Sequence, residues 1–489
     1  MEGFIGTVAL IGIVVVVASL LSGAIERSGV PLVAVFLLLG AALGPWGLGV
    51  ASVGFHSPAL HVLAMLGLAL LLFSDAVTLD TRQLRTRRFM LWRLLGPGTL
   101  APAAIIALAA WLLFDLPAAA AAILGAALAS TDPVLLRTVL RSRALPEPTR
   151  LALRLETGMN DVVLLPIVIL AMLLLPRVGG DGAIASTGAS VGRSILGLFV
   201  LGPALGALVG WVGITALASV RGYTGVRRDY ESLYALGLAF TSFALAEAAG
   251  GSGFVAAFAA GLLVASKDVE LCDCFLEYGE ATAEMLLLLT FVALGMTLIW
   301  LGLADLDWQT VLFALIALIA RPFVLYPVLG GVELDTRDRR LIAAFGPRGL
   351  STLLLALLPV FAEVDGAERI FTLSSVVVLL SVVVHGGGTA FFLRVHAQRG
   401  SGGPLNALPP LRRVAVEDSV VSPLVTVEEV RALRARAEPV VIVDSRADRN
   451  RDGDPLQAAG AVRIRPDDPV RDATERRLSQ RATLVVYCA

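Results

Sequence analysis

A helix that crosses a bilayer needs about 20 consecutive, mostly apolar residues, because lipid offers no partner to an unpaired backbone group. This chain of 489 residues carries about thirteen candidate stretches, all before residue 396. They lie near 4–24, 31–43, 59–77, 95–114, 118–140, 151–175, 195–218, 233–248, 253–265, 285–303, 311–329, 341–361 and 371–393. The expected fold class is therefore an all-α polytopic membrane protein with a small soluble remainder. Composition agrees, with 57% hydrophobic and 16% charged residues, where a soluble domain has about 25% charged. The 39 basic and 40 acidic residues leave no basic surplus for nucleic acid. Cys272, Cys274 and Cys488 are too few for a disulfide scaffold. The chain has no phosphate loop, no nucleotide fingerprint and no nucleophile–base set. It reads as neither an enzyme nor an ATP-driven pump, and no cofactor is expected.

Arginine placement sets the expected topology. Arg82, Arg85, Arg87 and Arg88 follow the third stretch, and Arg137, Arg141, Arg143 and Arg150 follow the fifth. Arg221, Arg227 and Arg228 follow the seventh, and Arg337, Arg339 and Arg340 the eleventh. All share one side if the spans alternate. The opposite loops hold only Arg177, Arg193 and Arg369. The positive-inside rule then puts the N-terminus outside and the C-terminus in the cytoplasm. Glu2 and the lack of a basic leader make the first stretch a retained span. Basic residues that are nearly all arginine, with abundant Ala, Val and Gly, fit a bacterial inner-membrane protein. The sequence divides into a transmembrane domain at 1–396, a Gly/Pro-rich linker at 397–420 and a further domain at 421–489.

Ionisable groups inside a span cost at least about 2.5–3.5 kcal/mol each and mark function by default. Ser130-Thr131-Asp132-Pro133 sits within the fifth stretch. Pro133 removes a helix donor, so the helix should break there. Thr131 and Asp132 can then cap the freed groups or bind an ion, as broken helices do in transporters. A proline kink capped by Asp132 is the plainer alternative. In the sixth stretch, Thr157, Asn160 and Asp161 share one helix face. Glu156 points about 140° away from Asp161. One helix thus offers one carboxylate to a cavity and another to a neighbour. Arg321, beside Pro322, needs an acid when buried, and Glu156 is the expected partner; snorkelling to an interface is the alternative. Gly346-Pro347-Arg348-Gly349 predicts a second broken helix, with Arg348 neutralising carbonyls at the break. Two interrupted spans in the two halves point to inverted repeats. Glu247 reads as interfacial, Asp75 as hydrogen-bonded structure and His385 as a packed or cavity-facing residue. Cys272 and Cys274 lack the further ligands of a transition-metal site.

Thr131-Asp132-Pro133, Glu156-Thr157-x-x-Asn160-Asp161, Gly253-Phe254-x-x-Ala257-Phe258-x-x-Gly261-Leu262, Ala320-Arg321-Pro322 and Gly346-Pro347-Arg348-Gly349 occur in this order. Together they resemble the NhaP-type sodium/proton antiporters of the monovalent cation:proton antiporter-1 family. The resemblance covers residues 1–396. It implies thirteen helices, a six-helix core with two broken helices crossing at mid-membrane, and a homodimer. It implies that Asp161 binds cation and proton alternately, with Thr131, Asp132, Glu156, Thr157 and Asn160 around the ion. It implies that Glu156 and Arg321 brace the core. Asn160 stands where electrogenic relatives carry a second Asp, which implies one-for-one, electroneutral exchange. Thr157 replaces the commoner Ser and keeps both its hydroxyl and its carbonyl. Physics agrees on competition: removal from water disfavours a charged carboxylate, and either a proton or a cation relieves it. Oxygen ligands suit a hard alkali cation, Na⁺ or Li⁺. K⁺/H⁺ exchange by the same fold is the nearest rival.

Beyond the linker, Thr426-Val427-Glu428-Glu429 is a capping box that should open a helix reaching Ala437. Pro439 to Asp444 reads as a buried strand, followed by Asp444-Ser445-Arg446, Ala459-Gly460-Ala461-Val462 and Thr483 to Cys488. This resembles the first half of a rhodanese-like domain, in which Cys488 would open the active loop. The sequence as given stops at Ala489, before the amides that cradle an anion. The expectation is a fragment or a degenerate module, with Cys488 non-catalytic. A membrane-tethered sulfur or redox sensor is the rival of a different class.

Overall fold

The computed structural model describes residues 32–400 apart from 50–51, 80–83, 85, 142–144, 178–187, 224–227, 268–272, 305 and 333. It also describes Gly12, Val16, Leu20 and, in the tail, 430, 440–445, 457–464, 476, 478 and 483–487. Most of the expected first span, most of the capping-box helix and Cys488 lie outside the described residues. Each later expected span coincides with observed helix. Among the described residues seven helices are long and apolar enough to cross a membrane, and five shorter ones are apolar.

In chain order the helices are α1 (Leu32–Leu43), α2 (Pro58–Val77), α3 (Arg88–Leu95), α4 (Pro97–Phe114), α5 (Ala118–Ala129) and α6 (Pro133–Arg141). There follow α7 (Glu147–Met172), α8 (Gly188–Leu196), α9 (Gly202–Tyr223), α10 (Arg228–Ala248), α11 (Gly253–Ser266) and α12 (Asp273–Met296). The last are α13 (Trp308–Val328), α14 (Thr336–Ala344), α15 (Leu350–Phe361) and α16 (Ala367–Gly400). Prolines open α2, α4 and α7, where a missing N–H has no consequence. Asp307 caps α13 by accepting from Thr310 N at 2.7 Å. Hydrogen bonds from the Thr310 side chain and backbone hold the Asp307 carboxyl below the ordinary carboxylate range. One turn of π-helix, Gly197–Leu201, joins α8 to α9.

The helices form two packed groups. The peripheral group holds α1, α2 and α9 to α12. The core group holds α3 to α7 from the first half and α13 to α16 from the second. They meet along a seam where α2 packs on α7 and α15, and α1 on α6. Apolar side chains of both groups form one buried cluster. Large hydrophobics such as Leu112, Trp211, Phe323 and Val383 are exposed on the outside, as a lipid-facing surface requires.

The seventh and thirteenth expected spans are short of the observed helices. The α16 helix runs to Gly400, four residues into the expected linker, because Ala397, Gln398 and Arg399 are all good helix formers. The chain divides into two compact units after Pro404. In the second unit β1 (Val440–Asp444) lies between β2 (Val462–Arg463) and β3 (Thr483–Tyr487), order β2-β1-β3. Both pairings are parallel, with Val443 opposite Val462 and Ile442 opposite Val485. Parallel neighbours need crossover connections, so the expected strand is part of an open parallel sheet.

Candidate site at the crossing of two broken helices

Both breaks arise from local sequence. The first leaves Ser130 extended after α5 (φ −61°, ψ 140°) and resumes at Pro133, which has no N–H to give. The second separates α14 from α15 over Phe345-Gly346-Pro347-Arg348-Gly349. The two breaks touch: Asp132 N donates to Pro347 O at 3.0 Å.

Each break supplies the charge that the other needs. Asp132 Oδ1 accepts from Val134 N at 2.7 Å, capping α6. Its Oδ2 accepts from Leu350 N at 2.5 Å, capping α15 across the crossing. Arg348 Nη1 donates to Ala129 O and Ser130 O, each at 3.2 Å, closing the end of α5. Anion at an N-terminus and cation at a C-terminus is the favourable sense of the helix dipole. Arg321 closes the matching end of α14, donating from Nη1 to Ile342 O and Ala343 O at 2.7 Å. Its remaining donors hold Glu156 in a fork, Nε to Oε1 at 2.9 Å and Nη2 to Oε2 at 2.6 Å. Glu156 and Arg321 are 3% and 2% exposed, so the ion pair is buried and Arg321 does not snorkel.

The glycines of the second break are required by these contacts. A Cβ on Gly346 would strike the Arg321 guanidinium stem, and one on Gly349 the Asp132 carboxylate. Arg348 N donates to Ser381 Oγ on α16 at 2.7 Å. Ser381 in turn pairs with His385 Nδ1 at 3.0 Å, so His385 is tied to the second break.

Asp161 and Asn160 reach the crossing from α7. Ser130 Oγ donates to Asp161 Oδ1 at 2.5 Å. Asn160 Nδ2 donates to Thr131 Oγ1 at 2.7 Å. Ser130, Thr131, Asp132, Asn160 and Asp161 are all buried. Among the described residues no basic side chain forms an ion pair with Asp161.

The expected residues therefore divide by task. Asp161, Asn160 and Thr131 come together at one point. Asp132 stands beside them, with both oxygens engaged by helix amides. Glu156 is engaged by Arg321. Thr157 Oγ1 donates to its own helix, to Leu153 O at 2.9 Å and Arg154 O at 3.3 Å. Its side chain lines a cavity of about 330 Å³ on the seam, together with Ser74, Asp75, Thr78, Pro133, Arg154 and Gly158. Glu247 caps the next helix, Oε1 accepting from Gly253 N at 2.7 Å. Sequence reasoning gave Ser130 no role of its own within its motif and missed Ser351 and Ser381. Ser130 adjoins the Thr-Asp-Pro break and Ser351 follows the Gly-Pro-Arg-Gly break by two residues, and that adjacency was the available signal.

Residues 13–395 match the family model described as sodium/hydrogen exchanger, transmembrane. The K(+)/H(+) antiporter NhaP2 of Shewanella oneidensis is 28% identical over 389 residues, covering 76% of this chain and 63% of that protein. The chain thus matches a little under two thirds of that relative's length. The K(+)/H(+) antiporter NhaP of Alkalimonas amylolytica is 25% identical over 412 residues, covering 82% and 69%. Among solved structures, the sodium proton antiporter MjNhaP1 from Methanocaldococcus jannaschii at pH 8 superposes with TM-score 0.62 at 21% identity. That superposition covers 79% of this chain and 100% of the other, a likeness of fold.

Proposed function

Because this multi-pass membrane protein belongs to the sodium/hydrogen exchanger transmembrane family, we propose that it exchanges a monovalent alkali cation for a proton. The observation that carries the reading is Asp161. It is a buried carboxylate with no basic partner among the described residues, set where two broken helices meet. A charge so placed calls for a counterion. Glu156 and Arg321 cancel, and so, counted formally, do Asp132 and Arg348. One negative charge remains, on Asp161. One proton or one alkali cation neutralises it, and both cannot do so together. Asn160 adds no charge, so one cation replaces one proton and the exchange is electroneutral.

The cavity beside Thr157, one helical turn from Asp161 on α7, is the ion's proposed route from one side. It lies on the seam between the two helix groups, so rocking of one group on the other would close it and open the opposite face. This reading makes the chain a carrier and not an enzyme. The ion is Na⁺, with Li⁺ as a congener. The names of the two relatives favour K⁺ as the second reading, and the same site admits it. The arginine-rich loops put the C-terminus in the cytoplasm of a bacterial inner membrane. A homodimer with thirteen spans per protomer completes the proposal, together with a rhodanese-like fold for the parallel sheet of the tail.

The test is reconstitution in liposomes with a pH-sensitive dye, an imposed proton gradient, and Na⁺, Li⁺ or K⁺ added in turn. Cation-driven dequenching that Asp161→Asn abolishes is the expected result, and the active cation identifies the substrate. Normal dequenching in the variant would sink the assignment to Asp161. Silence with every cation, in protein that elutes as a folded species, would sink the exchange reading.

A further inference from the structure

Two oxygens at the crossing are buried without a partner. Ser351 Oγ and Asn160 Oδ1 are shut off from solvent and hydrogen-bonded to nothing among the described residues. Both residues are 1% exposed. Folded proteins keep few such orphans, and each calls for an explanation. One belongs to the residue before Asp161, the other to a residue beside the Asp161 carboxylate. Asn160 precedes Asp161 on α7. Ser351, in the first turn of α15, stands against the Asp161 carboxylate but outside hydrogen-bond geometry. Ser130 Oγ approaches that carboxylate from the first break at 2.5 Å. A hydroxyl from each of the two broken spans therefore stands at one carboxylate of α7. The nearby cations are turned away: Arg348 Nη1 faces Ala129 O and Ser130 O, and Arg321 holds Glu156.

Resting on the exchange reading above, we propose that Ser351 is a cation ligand. Its hydroxyl oxygen, with Asp161, Ser130 Oγ and Asn160 Oδ1, encloses a dehydrated alkali cation. Every group in the set is an oxygen, which suits a hard cation. The first turn of a helix carries positive partial charge, and here Asp132 offsets it by accepting from Leu350 N. Ser351 also serves the alternative occupant. When Asp161 holds the proton, its O–H can donate to the Ser351 lone pair. When a cation replaces the proton, the same lone pair ligates the cation. The second half of the chain thereby takes part in ion recognition, not only in supporting the break.

The experiment measures the half-saturating cation concentration and the maximal exchange rate in liposomes at fixed pH. It compares wild type, Ser351→Ala, Ser351→Cys, Ser351→Thr and Asp161→Asn. Ala deletes the oxygen, and Cys keeps the size while offering a soft sulfur. Both should raise half-saturation at least about fivefold, the scale of one lost interaction with a charge. Maximal rate should stay within about twofold, because binding is what is lost. Thr keeps the hydroxyl and should stay near wild type. A merely structural role would lower the maximal rate and leave half-saturation in place. Should Ala fail to fold, the near-isosteric Cys variant decides. Wild-type half-saturation in the Ala or Cys variant, with Asp161→Asn silent, overturns the proposal and leaves the exchange reading standing. A wild-type protein that exchanges no alkali cation overturns both.

Discussion

Asp132 and Arg348 each close the helix end that the other's break leaves open. The Asp132 carboxylate, from the first break, accepts from Leu350 N at the start of α15. The Arg348 guanidinium, from the second, donates to Ala129 O and Ser130 O at the end of α5. The two are 216 positions apart (348 − 132) in the sequence. Neither break is satisfied by its own residues alone, so each half of the core requires the other.

That reciprocity predicts coupling. Asp132→Ala leaves buried amides unpaired and should cost about 1–3 kcal/mol. Arg348→Met should cost a similar amount by freeing two carbonyls. Once one cross-cap is gone the breaks separate, and the second cap has less to hold. The double variant should lose less than the sum of the singles, by about 0.5–3 kcal/mol. Unfolding in detergent measures the cycle, and strict additivity would refute the reciprocity.

Arg321 predicts a failure of conservative replacement. It serves two carboxylate oxygens and two carbonyls at once. Removing one partner of a buried pair costs about 3–5 kcal/mol. Lysine cannot make the fork and still reach the end of α14. Arg321→Lys should therefore melt close to Arg321→Ala, far below wild type. A Lys variant as stable as wild type would show that only the charge matters.

Glycines predict opposite outcomes by position. Gly349→Ala pushes a methyl into the Asp132 carboxylate and should abolish exchange. Gly387 lies inside α16 with nothing near its missing Cβ. There Ala should be tolerated and add about 0.5–1 kcal/mol of helix stability. Exchange rate and melting temperature of the two variants, measured side by side, make the comparison. Equal effects would contradict the packing described for the second break.

Much of this was legible in the sequence, for a local reason. Pro102, Pro166, Pro322, Pro327 and Pro359 all stay inside helices, so it is the company of Pro133 and Pro347, Ser-Thr-Asp on one side and Gly-Pro-Arg-Gly on the other, that let both interruptions be read from single motifs. A buried arginine demands an acid, and Glu156 was the acid on the far side of its helix from Asp161. What could not be read was which helix end each charge would meet. Asp132 was expected at the ion or as a cap, and nothing nearby in sequence reveals the amide at Leu350 that it meets. Thr157 shares a face with Asp161, yet its hydroxyl turns back to Leu153 O, a local bond that competes with an outward one. Ser130 and Ser351 carried no signal of type, since serine is ordinary in packed membrane helices. Only the crossing makes them neighbours.

Competition at one carboxylate predicts a pH law. While a proton must leave before the cation enters, apparent cation affinity should fall about tenfold for each pH unit of acidification. The dependence should flatten at alkaline pH, once Asp161 has lost its proton in the empty site. Half-saturating cation concentration across a pH series in liposomes provides the slope. A slope near two would require a second titrating group and would contradict the neutral role given to Asn160.

The most direct test of the central claim is the number of protons released when the purified protein binds its cation. Calorimetric titration with Na⁺ and K⁺, in buffers of different ionisation enthalpy at one pH below the alkaline plateau, yields that number. The account predicts release approaching one proton per cation bound, and neither binding nor release in Asp161→Asn. Cation binding without proton release, or release that persists in Asp161→Asn, would contradict it.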